Sequence, residues 1–288
     1  MTIASKYVPT IHIHPILIIF IIISFITGTF IELFIILSIV FIHELGHFIA
    51  AKYFNWRVNY IVLWVFGGVM KTDEHGNKTM IEEAIVTLAG PFQHIIIFGL
   101  IYILSLTHFV SPAIIEHMFY YNMIIFLFNI LPIWPLDGGK LLFLFLSIIL
   151  PYRTAYHTMI IFSLISSFIL LLVQLVYYPF TLSAFLIMIF LLLENRTEWK
   201  RRYYVFIRFL LKRHEGRIQT NSQSPIVVSP QTSLMELFYR FRRDRKHHIY
   251  INAPPFQHMV IDERAFLSSY FDDKNYNEPI GNIVGRFV

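Results

Sequence analysis

Not one of the 288 residues is cysteine. That excludes disulfides and every thiolate metal site, so a bound metal has to rest on histidine, carboxylate, backbone or water ligands. Charge is scarce as well. Only 14% of the residues are Asp, Glu, Lys or Arg, against roughly 25% in an ordinary soluble domain. Aspartate is scarcest: before residue 244 it occurs only at Asp73 and Asp137. Hydrophobic residues make up 56%, with 29 Phe, so most of the chain belongs in a bilayer.

Six apolar runs, at 15–31, 33–54, 82–107, 113–131, 156–177 and 179–194, approach the ~20 residues that cross a membrane. The last is short, and the run at 141–150 is too short to span alone. Ahead of the final run's end the basic residues are Lys6, Lys52, Arg57, Lys71, Lys78, Lys140 and Arg153, and six crossings put them all on one side. The opposite loops, TGTFIE, THFVSP and VYYP, hold none. Positive charge stays in the cytoplasm, so both termini and the loops at 55–80 and 140–155 are expected there. The first run lacks a small-residue cleavage site and reads as an uncleaved helix rather than a signal peptide. IVLWVFGGVM (61–70) is too short to cross and reads as a re-entrant or surface hairpin turning at Gly67 and Gly68.

Beyond residue 194 the character changes. ENRTEWKRRYYVFIRFLLKRHEGR places Trp199, Tyr203, Phe206, Ile207, Leu210 and Leu211 at helical spacing, opposite Lys200, Arg201, Arg208 and Lys212. Such a helix suits the anionic cytoplasmic leaflet; a solvated linker helix is the plainer alternative. It absorbs part of the +5 net charge, so no nucleic-acid partner is expected. QTNSQSP (219–225) reads as a flexible junction. Residues 225–288 read as soluble: strand IVVSP, helix TSLMELFYRFRRDR with a Ser233-x-x-Glu236 capping box, strands HHIYIN and HMVID across Pro254 and Pro255, and helix ERAFLSSYF. About 60 residues make too small a core to be self-sufficient, so pairing with another copy is expected. The domains expected are 1–195 in the membrane, 196–224 as interfacial helix and linker, and 225–288 as a small α/β cytosolic domain.

Against this background SIVFIHELGHFIAAKYF (38–54) is out of place. Charged side chains at bilayer depth cost about 2.5–3.5 kcal/mol each and usually mark a site. Helix positions i and i+4 share a face, so His43 and His47 present two imidazoles to one point, a spacing suited to zinc. Glu44 lies one residue on. HExxH is the metalloprotease signature, with two histidine ligands and the glutamate as general base. The plain alternative is two core histidines bonded to neighbouring helices, with Glu44 a structural acid. Gly46 permits close approach by another helix or by substrate.

Zinc needs a third protein ligand and one open place. Asp73 sits in a polar loop. Asp137 lies in FNILPIWPLDGGKLLFLF, where Pro132 and Pro135 end one run and Gly138 and Gly139 let the chain turn. Irregular backbone at membrane depth is tolerated where it is covered or lines a cavity. Asp137 is therefore the expected third ligand, with a simple helix N-cap as the alternative. Glu82, Glu83, Glu116 and Glu194 lie toward the ends of the spans and compete poorly. Asn129 is suited to bond a substrate carbonyl or an oxyanion, or to satisfy the carbonyls freed by Pro132.

HELGH (43–47), LAGPFQH (88–94) and NILPIWPLDGG (129–139) resemble the site-2 intramembrane zinc proteases over residues 30–150. The resemblance implies a three-helix core, one zinc per chain on His43, His47 and Asp137, water activation by Glu44, and a polar role near the scissile bond for Asn129. It implies membrane-associated protein substrates, such as transcription-factor precursors or anti-sigma factors. Asn129, Pro135, Gly67 and Gly68 are the substrate-binding candidates, the hairpin being similar to a membrane-embedded loop that aligns substrate as an added strand. In that family the AGP segment often runs on to an Asn, where this chain has Gln93 and His94, which leaves its substrate role open. Residues 225–288 resemble a single CBS (cystathionine-β-synthase-like) motif, a module that pairs and often binds adenine nucleotides. The Ser/Thr-x-x-Asp nucleotide signature is missing from IGNIVGRFV, so pairing is better supported than nucleotide binding.

The fold class expected is thus a polytopic α-helical membrane protein of about six transmembrane helices with a short membrane-embedded hairpin, followed by a small α/β CBS-like domain. The arrangement is most like the branch of the family that matures a sigma-factor precursor in a membrane of sporulating bacteria. Inhibitory membrane-protein partners would restrain such an enzyme. One rival is a transporter or channel with His43, Glu44 and Asp137 as an ion or proton relay, although no internal repeat supports it. The other is a membrane scaffold, which leaves the buried polar residues unexplained.

Overall fold

The computed structural model describes residues 11–64, 67–72, 74, 76, 78–107, 109–216, 222–252, 260–276 and 278–285. The chain divides into two units, residues 1–75 with 81–141, and residues 76–80 with 142–288.

The first unit opens with strand β1 (Ile11–Ile13) and helix α1 (Pro15–Thr27). Pro15 sits in the first turn, where its missing N–H costs nothing, and the His14 ring accepts from the Ile16 N–H. Gly28, at φ 77°, takes the left-handed conformation and stops α1 after 13 residues. The first run, expected to extend to residue 31, thus ends at Thr27, with Gly28 inside the TGTFIE loop expected between the first two runs, and the second run follows as α2 (Phe30–Tyr53). The hairpin follows. β2 (Val58–Trp64) pairs antiparallel with β3 (Gly67–Thr72) and parallel with β1, in the order β1-β2-β3.

The turn expected at Gly67 and Gly68 is displaced. Gly67 pairs with Trp64 and Gly68 with Leu63, so both belong to β3, and residues 65–66 between the strands lie outside the described residues. Glycine inside a strand serves close approach by a neighbour, and Gly68 has one, as the site shows below.

Helices α3 (Met80–Thr107) and α4 (Pro112–Ile130) pack on α2, with Ile35 and Ile39 against Ile97, Ile101, Met118 and Ile125. A Cβ at Gly46 would overlap the Ala89 carbonyl and the Gln93 side chain, so the α2–α3 crossing depends on that glycine. Helix α5 (Asp137–Ile149) starts where Gly138 and Gly139 lie against the backbone of Ile130, Leu131, Ile133 and Trp134. That tight turn aims Asp137 back towards α2.

The second unit holds α6 (Tyr152–Tyr177), α7 (Leu182–His214), β4 (Ser222–Val228), α8 (Leu234–Phe238), β5 (Arg245–Ile251), β6 (Val260–Asp262), α9 (Glu263–Phe271) and α10 (Ile280–Val284). β4 pairs parallel with β5, and β5 antiparallel with β6. The Ser233–Glu236 capping box starts α8. Helix α7 runs unbroken through the sixth apolar run and the basic stretch. Its end walls the small sheet: Phe206, Phe209 and Leu210 are buried with Val228, Phe238, Ile249 and Phe266. The stripe expected to face lipid is thus divided, because Phe206 and Leu210 lie inside this core while Tyr203 is 58% exposed. The physical reason is size, since so few residues close a core only by borrowing apolar surface. One turn on, Arg213 is buried, pairs with Glu263 at 2.8 Å and donates to the carbonyls of Arg242, Arg243 and Arg245.

Helices α2, α3, α4 and α6 are long and apolar enough to cross a membrane. Helix α1 is apolar but shorter, and α7 carries charges from Glu194 onward. Large hydrophobic side chains such as Ile22, Phe25, Ile26, Phe119 and Leu127 face outward, a surface suited to lipid rather than water.

Candidate metal centre

His43, Glu44 and His47 lie in the second half of α2, each only 4–5% exposed. Their ligand atoms fall within 4.8 Å of one another. The i, i+4 spacing brings the two Nε2 atoms to 3.1 Å. Asp137, at the start of α5, reaches the same point: its Oδ2 is 3.1 Å from His43 Nε2 and 3.0 Å from His47 Nε2. Its Oδ1 accepts from Lys140 Nζ at 2.9 Å, one turn along α5. Both carboxylate oxygens are therefore engaged.

A count of hydrogens shows why a cation belongs here. His47 Nδ1 lies 2.8 Å from the Val86 carbonyl oxygen, which can only accept. The neutral ring therefore carries its proton on Nδ1 and presents a bare lone pair at Nε2. That lone pair faces the Asp137 carboxylate at 3.0 Å, which is repulsive unless a positive centre, either a metal ion or a second ring proton, lies between them. Ligand atoms about 2.0–2.1 Å from a tetrahedral zinc are roughly 3.3 Å apart, close to the 3.0–3.1 Å sides of this triangle. Room has been kept for the rings as well. A Cβ on Gly90 of α3 would overlap the His47 ring and stand 2.8 Å from His43 Cε1. The residues present fit a zinc ion.

The pattern of peptidase family M50 matches residues 31–114 and 111–173. The chain is 35% identical over 275 residues to stage IV sporulation protein FB of Bacillus subtilis, an alignment covering 95% of this chain and 96% of that protein. The chain belongs to peptidase family M50. This M50 peptidase is an integral membrane protein. A zinc metalloprotease of Methanocaldococcus jannaschii is 28% identical to it over 210 residues, 71% of this chain and 59% of that one. The solved structure of a site-2 protease from Methanocaldococcus jannaschii shares the fold, with a TM-score of 0.53 at 22% identity, covering 65% of this chain and 89% of that one. The transporter alternative gains no support from these matches.

In this M50 peptidase the hairpin touches the motif directly. Gly68 of β3 lies so close to Glu44 that a Cβ there would overlap Cγ and stand 2.7 Å from Cδ and 2.8 Å from Oε1. Gly67 has open space around it, and its φ of 138° is a backbone requirement instead. Asn129 bonds back to its own helix, Nδ2 donating to the Ile125 carbonyl at 3.0 Å. That satisfies backbone, one turn before the place expected. Pro135 is half-buried in the turn leading to Asp137.

Two residues went unassigned in the sequence. His94 and Asn122 are both 0% exposed. His94 Nε2 is 3.1 Å from His43 Nδ1, and its Nδ1 is 2.7 Å from Asn122 Oδ1. A signal existed, because His94 follows Gly90 by one helical turn and so shares its face. Lys140 was visible in LDGGK but spoke only for orientation.

Proposed function

We propose that this M50 peptidase hydrolyses a peptide bond of a membrane-associated protein, within or beside its membrane segment, using one zinc held by His43, His47 and Asp137. The observation that carries the reading is the triangle of ligand atoms at 3.0–3.1 Å with the Glu44 carboxylate beside it, none of the four residues more than 5% exposed. When bound, zinc supplies Lewis acidity to a water and to the scissile carbonyl. The chain's own groups do the rest. Glu44 takes the proton of the attacking water and delivers it to the leaving amine. Lys140 holds Asp137 Oδ1 and leaves Oδ2 for ligation. A helical substrate hides its peptide bonds, so it unwinds and lies along the outer edge of β3, where strand pairing sets the register. Gly68 brings that strand close to Glu44. Asn129 at the end of α4 and Pro135 in the turn to α5 are the further residues we assign to substrate contact, as the family resemblance implies.

The likeness to a stage IV sporulation protein over 95% of the chain supports a substrate made during spore formation, which we take to be a sigma-factor precursor. The β4-α8-β5-β6-α9 order supports a CBS-like, self-pairing reading of residues 225–288. The distribution of Lys and Arg supports six crossings with both termini in the cytoplasm, α1 and the start of α7 joining the four longer helices.

The test uses detergent-purified full-length protein with a co-expressed membrane-associated substrate. Zinc near one per chain is expected in the parent, cleavage lost with zinc retained in Glu44→Gln, and zinc lost in Asp137→Ala. A zinc-free parent, or undiminished cleavage by Glu44→Gln, overturns the proposal.

A further inference from the structure

We infer that His94 and Asn122 are positioning residues of the metal site, a proton-ordered pair that holds His43 in the one neutral tautomer able to ligate. The inference rests on the zinc reading above.

The two ligand histidines are held differently. His47 is oriented by main chain, since the Val86 carbonyl can only accept. His43 has no such fixed partner. Its Nδ1 meets another imidazole, His94 Nε2, at 3.1 Å, and between two neutral rings either is able to donate. The choice is made one residue further out. His94 Nδ1 lies 2.7 Å from Asn122 Oδ1, and Asn122 Nδ2 lies 3.1 Å from the His94 carbonyl oxygen. Turning that amide over would set Oδ1 against the carbonyl, two acceptors face to face, so the amide oxygen faces the ring.

The rest follows by elimination. His94 carries its hydrogen on Nδ1, donates it to Asn122 and offers a lone pair at Nε2. His43 therefore carries its hydrogen on Nδ1, donates it to His94 and turns a bare Nε2 towards Asp137. This makes the triangle three acceptors with no hydrogen among them. Each link comes from a different helix: His43 from α2, His94 from α3 and Asn122 from α4. With both outer residues at 0% exposure, no water competes for these bonds. A buried polar pair is costly unless every group is bonded, and here the bonds lead to His43.

The experiment measures zinc affinity by chelator competition on purified full-length protein, with the melting temperature and the visible spectrum of the Co2+-loaded form alongside. His94→Gln keeps an acceptor for His43 and a donor for Asn122, and should bind zinc nearly as the parent does. His94→Met fills the space without an acceptor, and Asn122→Leu removes the group that orders the chain. Both are expected to bind zinc about 10–100-fold more weakly, with an altered Co2+ spectrum. A packing role alone would make Gln and Met equivalent. Either apolar variant, folded and with parental affinity, overturns the inference, as does a folded His94→Gln protein as weak as those two are expected to be. A parent that binds no zinc would instead remove the metal reading beneath it.

Discussion

Replacing Gly68 by alanine should damage catalysis while leaving the metal in place. The added Cβ would overlap Glu44 Cγ and stand 2.7 Å from Cδ and 2.8 Å from Oε1. Carbon atoms in ordinary contact sit about 3.5–4.0 Å apart, so the carboxylate has to retreat by roughly 1 Å, or β3 has to lift off α2 by as much. A misplacement of that size costs about 100-fold in rate, or ~2.7 kcal/mol of transition-state stabilisation. This falls at the low end of the ~10²–10⁴-fold supplied by a general acid–base group. The three atoms nearest that Cβ all belong to Glu44, which is not a zinc ligand in this reading, so zinc content should stay parental. Gly99→Ala, with open space at its Cβ, is the matched control and should cleave normally. The assay follows cleavage of a membrane-associated substrate by purified enzyme, with zinc content and melting temperature read on the same preparations. A folded, zinc-loaded Gly68→Ala enzyme as fast as the parent refutes the reasoning, because the hairpin would not then press on the base. Loss of zinc refutes it as well.

Gly90→Ala makes the complementary case: its Cβ lands on the imidazoles, so zinc affinity should fall by about a hundredfold while Glu44 keeps its place, as metal analysis after dialysis against a chelator would show. In the second unit, burial would raise the Glu263 pKa, but the His247 hydrogen bond and the Arg213 guanidinium outweigh it and hold the carboxyl below its ordinary range. Burial likewise lowers His247, more than its bond to Glu263 raises it. The depressed carboxylate stabilises the fold above its unfolded pKa and loses that contribution as pH falls through the folded value. The histidine kept neutral does the same from about pH 6.5 downward. Both act in one direction, so the melting temperature should be level at neutral pH and decline below it, at up to ~1.4 kcal/mol per pH unit for each group. His247→Asn should remove the upper part of that decline, and an unchanged profile in this variant would contradict the assignment.

The site was legible where its geometry is local. HELGH needs only the helical repeat to bring His43 and His47 together, and Asp137 stood out because aspartate is so rare. The His94–Asn122 pairing was not legible, because His94 lies 51 residues from His43 and Asn122 a further 28 on, and they meet only where three helices cross. Gly68 read as a turn residue because paired glycines signal turns. Close approach by a side chain from another element makes the same demand on sequence and leaves no local trace. The stripe through Phe206 and Leu210 had a correct period, but periodicity marks a face to be buried without saying whether lipid or protein will cover it. Gly28 is a helix stop of the ordinary kind, and it lies in TGTFIE, read as the loop between the first two runs; only the exact ends of those runs moved.

Helix α7 makes the small sheet a handle rather than a tethered accessory. A fragment cut at residue 225 would leave Val228, Phe238 and Ile249 open to water where Phe206, Phe209 and Leu210 had stood. In the intact chain, whatever displaces β5 or α9, whether a ligand or a second copy, pulls on Arg213 through Glu263. That pull acts on a rod of 33 residues, about 50 Å long. No joint lies between its charged end and the apolar turns that begin at Leu182, so a push on the sheet arrives at the other end as a push.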